Sequence, residues 1–293
     1  MGSKKEVVYT ISGYVFAALI TVILLLLTPC PTLERNGSTL ILNRFSDSRE
    51  ELLSRSTNSA PIFCTPDKAL WFVGLLPFLC SLPYISRLAA ELKGNYRFHL
   101  VREKRFSRYW NRTFLRYILS GAGSVTAGYM IFCTAIYLRF PKNSEFLTDY
   151  PENSYEEVFL KRQALYSPLG DLFNSQNEYL YIFSAIINVF IYATAVSAFC
   201  LLLYLLLKNK YKALGLPMVA LFLLDNGLYG LYLQHHTKIG IFCPSMELFN
   251  IQTAFNDFSK INRLVWLYYA AILLLLVLIY LLGGKIFRKR VMN

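Results

Sequence analysis

Six long apolar stretches, separated by polar loops, constrain the fold of this 293-residue chain more than any other feature of its sequence. Each is close to the roughly 20 residues that an α-helix needs to cross about 30 Å of hydrocarbon. The stretches cover residues 9–28, 68–86, 115–138, 179–206, 213–233 and 264–283. A segment surrounded by lipid has to satisfy its own backbone hydrogen bonds. The sequence therefore predicts an all-α integral membrane protein with six transmembrane helices.

The basic residues are concentrated on one side of the predicted membrane. Eighteen of the 30 Lys and Arg residues, but only three of the 18 Asp and Glu residues, lie in four segments. These are the N-terminus, residues 87–116, residues 207–212 and the tail after residue 284. Lys and Arg accumulate in cytoplasmic loops. We therefore expect a multi-pass protein of the plasma membrane with both termini in the cytoplasm.

The composition limits the classes of function that need consideration. With 55% hydrophobic residues, residues 1–293 form one predicted membrane domain with no room for a separate soluble enzyme. The net charge of +12 lies mainly beside the apolar stretches, where anionic lipid headgroups account for it. We therefore expect membrane lipid, and not nucleic acid, as the partner of these charges.

The first predicted outer loop covers residues 29–67. Ser48 is followed three residues later by Glu51, which is the spacing of a capping box. This spacing predicts a short surface helix. Cys30 and Cys64 lie at the two ends of the loop, where they could form a disulfide or remain free thiols.

Two further outer segments are predicted. Residues 139–178 are acidic and long, which is typical of loops with a function or structure of their own. Residues 234–263 are partly apolar, but too short and too mixed to cross the membrane twice. This composition predicts a re-entrant helical element packed against other helices.

Motifs for chemistry are missing from the chain. The sequence contains no phosphate-binding loop, no Gly-x-Ser-x-Gly and no His-Glu-x-x-His. It has only three histidines. We therefore expect no catalytic residue, no metal site and no cofactor in this chain, and we do not expect it to be an enzyme.

The sharpest local signal is the basic segment 87–114 between the second and third stretches. A glutamate three residues before a glycine favours a helix that ends at Gly94. A second short helix over 95–103 would be amphipathic, which suits docking to a soluble partner. The alternative is a basic loop that only follows the positive-inside rule. The residues of the predicted docking element are Glu91, Gly94, Tyr96, Arg97, Phe98 and Leu100.

The order of residues in this segment resembles a known family. Glu-x-x-Gly (91–94), a short amphipathic stretch and Arg-x-Ser-Arg before an aromatic pair (105–110) are similar to the segment between spans two and three of ABC-2-type transporter permeases. That segment forms a coupling helix in the family, which also has six spans, cytoplasmic termini and re-entrant helices before span six. The large polar outer loops resemble those of bacterial peptide- or antibiotic-export permeases.

The resemblance implies which partners the chain would bind and which subunit would hydrolyse ATP. The six residues of the docking element would contact a separate ATP-binding cassette ATPase, which would bind ATP and Mg²⁺. A second permease, identical or related, would complete the transporter. The chain would be the permease subunit of an exporter for an amphipathic peptide, a lipid-like molecule or an antibiotic. An ATP-independent transporter or immunity protein is the first alternative, and an integral membrane enzyme is the second.

Two polar residues lie inside the fifth stretch. A carboxylate near the bilayer centre, such as that of Asp225, costs at least about 2.5 kcal/mol, so we expect Asp225 and Asn226 to face protein or a water-filled path. They would line the cargo path, or Asp225 would form a structural hydrogen bond, with Asn188 as one suggested partner. In the third stretch, the small residues from Gly121 to Gly128 favour close helix packing.

Overall fold

The computed structural model describes residues 4–28, 40–54, 70–90, 106–141, 178–207, 209–235 and 258–292. Within these ranges the chain forms nine α-helices and no β-strand, which confirms the all-α prediction for this part of the chain. The helices are α1 (Lys4–Leu26), α2 (Ile41–Arg44), α3 (Arg49–Ser54), α4 (Leu70–Ser81), α5 (Ile85–Ala90), α6 (Phe106–Arg139), α7 (Glu178–Leu207), α8 (Lys210–His235) and α9 (Phe258–Met292).

Three helical segments are long and apolar enough to cross a membrane. They are Phe106–Arg139, Ile186–Leu207 and Tyr269–Lys289. Shorter apolar segments cover Ile11–Leu26 and Tyr211–Leu224. Large apolar side chains also face outward, and Leu273 of α9 is 63% exposed. The chain is therefore a helical protein suited to a membrane, while six crossings and their orientation stay predictions.

The second apolar stretch is broken near its end, although the sequence predicts one helix over 68–86. Helix α4 ends at Ser81, and α5 begins at Ile85 after a three-residue turn. Pro83 is the physical reason, because proline has no N–H and disfavours helical backbone in the residue before it. The turn is closed by a hydrogen bond from the Tyr84 N–H to the Ser81 carbonyl, at 3.1 Å.

Small residues of α6 allow its neighbours to approach its backbone. A Cβ atom on Gly128 would lie 2.7 Å from the Thr21 Cβ of α1. A Cβ atom on Gly121 would overlap the Cys80 carbonyl of α4 and lie 2.5 Å from the Ser197 Oγ of α7. The prediction that this face serves helix packing is confirmed.

Buried clusters show that α6 and α7 run in opposite directions. Trp110, near the start of α6, shares a cluster with Leu205, near the end of α7. Phe132, further along α6, shares a second cluster with Val189, near the start of α7. These two central helices are packed against α1, α4, α8 and α9.

The segment formed by α2 and α3 packs on the far end of α6. The Ser48 N–H donates to Glu51 Oε2 at 2.7 Å, and the Glu51 N–H donates to Ser48 Oγ at 3.2 Å. The predicted capping box and short helix are therefore confirmed. Arg139, the last residue of α6, donates to the carbonyl oxygens of Phe45, at 3.0 Å, and Asp47. These bonds tie the segment to the end of a long helix.

Several predictions fall on other parts of the chain. Cys30 and Cys64, most of the acidic segment 139–178 and residues 236–257 of the predicted re-entrant segment lie outside the described residues. The described ends of that last segment are helical, because α8 continues to His235 and α9 begins at Phe258.

Candidate functional site

The six predicted docking residues, Glu91, Gly94, Tyr96, Arg97, Phe98 and Leu100, lie outside the described residues. The structure does describe how their segment is attached to the helix bundle. Helix α5 ends at Ala90, directly before the segment, and α6 begins at Phe106, directly after it. The candidate site is therefore the end of the bundle from which residues 91–105 emerge, which we call the basic end.

One buried cluster receives both attachments of this segment. We call it the base cluster, and it joins side chains of α5, α6, α7, α8 and α9, together with Tyr84 of the turn. Its largest members are Tyr84, Ile85, Leu88, Tyr109, Trp110, Phe114, Tyr117, Ile118, Leu201, Tyr204, Leu205, Ile279 and Phe287. Leu88 of α5 is fully buried, and Trp110 of α6 is 3% exposed. The helices on either side of the segment are thus packed into the same core.

The entry to the segment is fixed by Tyr84. Its hydroxyl donates to the Ser197 carbonyl of α7 at 2.9 Å. Its ring lies 5.4 Å from the Tyr117 ring of α6, measured between centroids. The Tyr84 carbonyl accepts the Leu88 N–H at 2.8 Å, which starts α5. A displacement of α5 would therefore be transmitted directly to α6 and α7.

The exit from the segment is fixed by Trp110. Its indole Nε1 donates to the Tyr280 carbonyl of α9 at 3.2 Å. Its ring lies 5.3 Å from the Phe287 ring and 5.4 Å from the Phe114 ring, between centroids. A Cβ atom on Gly283 would lie 3.0 Å from the Trp110 ring. The absence of a side chain at that position lets the indole lie against the α9 backbone.

The contact between Trp110 and the glycine pair 283–284 is not predicted by the sequence. A glycine pair near the end of an apolar stretch is a usable signal, because glycine inside a helix often marks a close approach. The partner could not be identified in this way, because Trp110 lies some 170 residues earlier in the chain.

The surface around the base cluster carries positive charge. Its exposed basic side chains are Arg108, Arg112, Arg116, Lys212, Lys285, Arg288 and Lys289. The sequences of α5, α6 and α9 contain no Asp or Glu. In the part of the chain that the structure describes, no group of three His, Cys, Asp or Glu residues could hold a metal ion. The exposed basic side chains of this end can attract anionic groups.

The predicted cargo-path residues lie on α8. Asn226 is exposed on the surface of the single chain, and its Nδ2 donates to the Phe222 carbonyl of its own helix at 2.8 Å. The Asp225 side chain lies outside the described residues. Asn188, the suggested partner of Asp225, accepts a hydrogen bond from the Tyr269 hydroxyl of α9 at 2.7 Å.

No protein-family model, curated protein or solved structure matches this chain. Function therefore has to be inferred from its residues and their geometry.

Proposed function

We propose that this chain is the transmembrane permease subunit of an ABC-type exporter. It moves an amphipathic peptide, or a lipid-like or antibiotic cargo, out of the cell. A separate ATP-binding cassette ATPase binds ATP and Mg²⁺ and docks on the element that contains Glu91, Gly94, Tyr96, Arg97, Phe98 and Leu100. A second permease, identical or related, completes the transporter.

The observation that carries this proposal is the attachment of residues 91–105 to the base cluster at both ends. The entry residue Leu88 and the exit residue Trp110 are both buried in that cluster. A partner that pulls on the segment therefore moves α5 and α6 together.

The proposal includes six membrane crossings with both termini in the cytoplasm. Most of each apolar stretch lies on a described helix, with the second divided between α4 and α5. The start of α6, the start of α8 and the end of α9 all contribute to the base cluster, through Trp110, Ala213 and Phe287. The exposed basic side chains lie at this same end, which supports a cytoplasmic position for it.

In the proposed mechanism, the base cluster passes movement of the docked segment to two helices. Tyr84 is hydrogen-bonded to α7, and Trp110 is hydrogen-bonded to α9. When ATP closes the ATPases, the displaced segment shifts α7 and α9 relative to the rest of the bundle. Such switching requires packed elements with two discrete arrangements.

The cargo would pass between the two permeases and not through the centre of one. Asn226 faces outward from the single chain, and the neighbouring Leu223 is 63% exposed. A polar side chain on an outward apolar face of a membrane helix favours contact with another protein subunit or with water. Asp225 and Asn226 would then border the path between the subunits.

Affinity purification of the tagged chain from its native membranes tests the proposal. We expect an ATPase with a phosphate-binding loop to co-purify in equal molar amount. The double variant Tyr96→Ala/Phe98→Ala should lose it. The control Tyr211→Ala removes an exposed aromatic side chain at the same end, outside the segment, and should retain it. An isolated chain that is still active in transport or immunity would favour the ATP-independent alternative.

A further inference from the structure

Helices α6 and α9 lie antiparallel at the basic end, in a register set by aromatic rings. The ring centroids of Phe106 and Phe287 are 6.1 Å apart, and those of Phe114 and Tyr280 are 5.2 Å apart. The eight-residue step from Phe106 to Phe114 on α6 therefore runs beside the seven-residue step from Phe287 back to Tyr280 on α9. Both helices contain segments that are long and apolar enough to cross a membrane.

The exposed line along which these two helices meet is called here the α6–α9 groove. A hydrogen bond from the Tyr280 hydroxyl to Asn111 Oδ1 joins the two helices there, at the surface. Arg108 lies three residues before Asn111, and therefore on the same face of α6. Arg288 lies eight residues after Tyr280, which places it about two turns further along α9 and about 80° around the helix. The register places Arg108 and Arg288 within about one helical turn of each other in height.

The groove is charged at its end and apolar beyond it. Arg108 and Arg288 are exposed, and neither α6 nor α9 contains a carboxylate that could neutralise them. One to two turns further from the end, Leu115 of α6 is 54% exposed and Leu281 of α9 is 53% exposed. Two guanidinium groups thus lie near the end of the helix pair, and exposed leucine side chains lie further from the end on both helices.

We propose that the groove between α6 and α9 holds an anionic phospholipid. Its phosphate lies between the guanidinium groups of Arg108 and Arg288, and its acyl chains lie along Leu115 and Leu281. Arginine forms paired hydrogen bonds with phosphate oxygens. Basic sites between membrane helices on the cytoplasmic side bind anionic lipid headgroups. The proposal depends only on α6 and α9 and is independent of the proposed export function.

The order of charged and then apolar side chains along the groove favours a lipid over an acidic protein surface. An acidic protein would be attracted by Arg108 and Arg288 but would gain nothing from exposed leucines deeper along the helices. A phospholipid matches both parts, because its charged headgroup and its acyl chains follow one another in the same order. Soluble phosphate matches only the charged part.

Native mass spectrometry of the purified chain in neutral detergent tests this proposal. The probes are phosphatidylglycerol, phosphatidylcholine and inorganic phosphate. We expect phosphatidylglycerol to bind most tightly. Each basic residue near an anionic headgroup contributes about a fivefold factor in affinity. The variant Arg108→Gln/Arg288→Gln should therefore bind phosphatidylglycerol about 25-fold more weakly.

The matched control is Lys210→Gln/Lys212→Gln, which removes the same charge from the start of α8. It should bind phosphatidylglycerol like the parent chain. Equal losses in both variants would mean diffuse charge attraction and would overturn the proposal. Unchanged binding in Arg108→Gln/Arg288→Gln would also overturn it, as would equal affinity for inorganic phosphate.

The single variant Arg288→Gln provides a second test if the double variant does not fold. Arg288 is exposed in the last turns of α9, so its replacement leaves the base cluster intact. We expect a loss of about fivefold in affinity for phosphatidylglycerol. An affinity equal to that of the parent chain would overturn the proposal.

Discussion

The indole ring of Trp110 lies against the bare backbone of Gly284, so closely that a Cβ atom there would come within 3.0 Å of its Nε1. This contact joins the start of α6 to the end of α9. It also places Trp110 at the exit of the segment that we propose as the docking element. The stability of the base cluster therefore depends on this side chain, and so would the transmission of movement that we propose.

Replacing Trp110 with alanine should strongly destabilise the chain. The variant loses the ring contacts with Phe114 and Phe287 and the hydrogen bond to Tyr280. Removing a buried Trp side chain typically costs about 3–5 kcal/mol. We expect a clear drop in melting temperature in detergent. The control Leu119→Ala removes a side chain that is 49% exposed and should change the melting temperature little. Equal melting temperatures for the two variants would contradict the assignment of Trp110 to the core.

Gly128→Ala should separate α1 from α6. The new Cβ atom would meet the Thr21 side chain and the Ala18 carbonyl, and overpacking of this kind costs about 1–3 kcal/mol. The matched control is Gly215→Ala, because a Cβ atom there has no neighbour within 4 Å and alanine is the better helix former. Thermal unfolding in detergent should show a loss of stability only for Gly128→Ala. A loss of the same size in both variants would count against close packing at Gly128.

Arg139→Gln should loosen the segment 40–54 from the end of α6. The arginine donates to the carbonyl oxygens of Phe45 and Asp47, and a hydrogen bond from a charged group is worth about 1.5–3 kcal/mol. We expect amide hydrogen exchange in residues 40–54 to become at least about tenfold faster. Arg116→Gln, which replaces an exposed arginine on the same helix, should leave that exchange rate unchanged. Unaltered exchange in Arg139→Gln would show that the buried side chains of the segment suffice to hold it.

The elements that the sequence predicts correctly depend on local signals. Apolar length predicts the helices, and the spacing of Ser48 and Glu51 predicts a capping box that the structure contains. Small residues between Gly121 and Gly128 predict a packing face, because their effect does not depend on which helix approaches. Pro83 favours a break after α4. The apolar stretch around it is long enough for a single helix, so its length alone does not predict this break.

The contacts that could not be predicted join residues far apart in the chain. Tyr269 donates to Asn188 across 81 positions, a contact that the sequence did not suggest. Hydropathy shows that both residues lie on apolar helices, but it does not show which helices are neighbours. The base cluster could not be predicted for the same reason. It joins five helices, and their arrangement in space depends on the packing of the whole bundle.

Photocrosslinking from position 98 tests the central claim most directly. A photoreactive residue in place of Phe98 would be compared in native membranes with one in place of Leu42, which is exposed on α2 in the predicted outer loop. Our account predicts that position 98 crosslinks to an ATPase subunit with a phosphate-binding loop and that position 42 does not. Recovery of no such subunit at position 98, or equal recovery at both positions, would contradict the assignment of residues 91–105 as the docking site of an exporter.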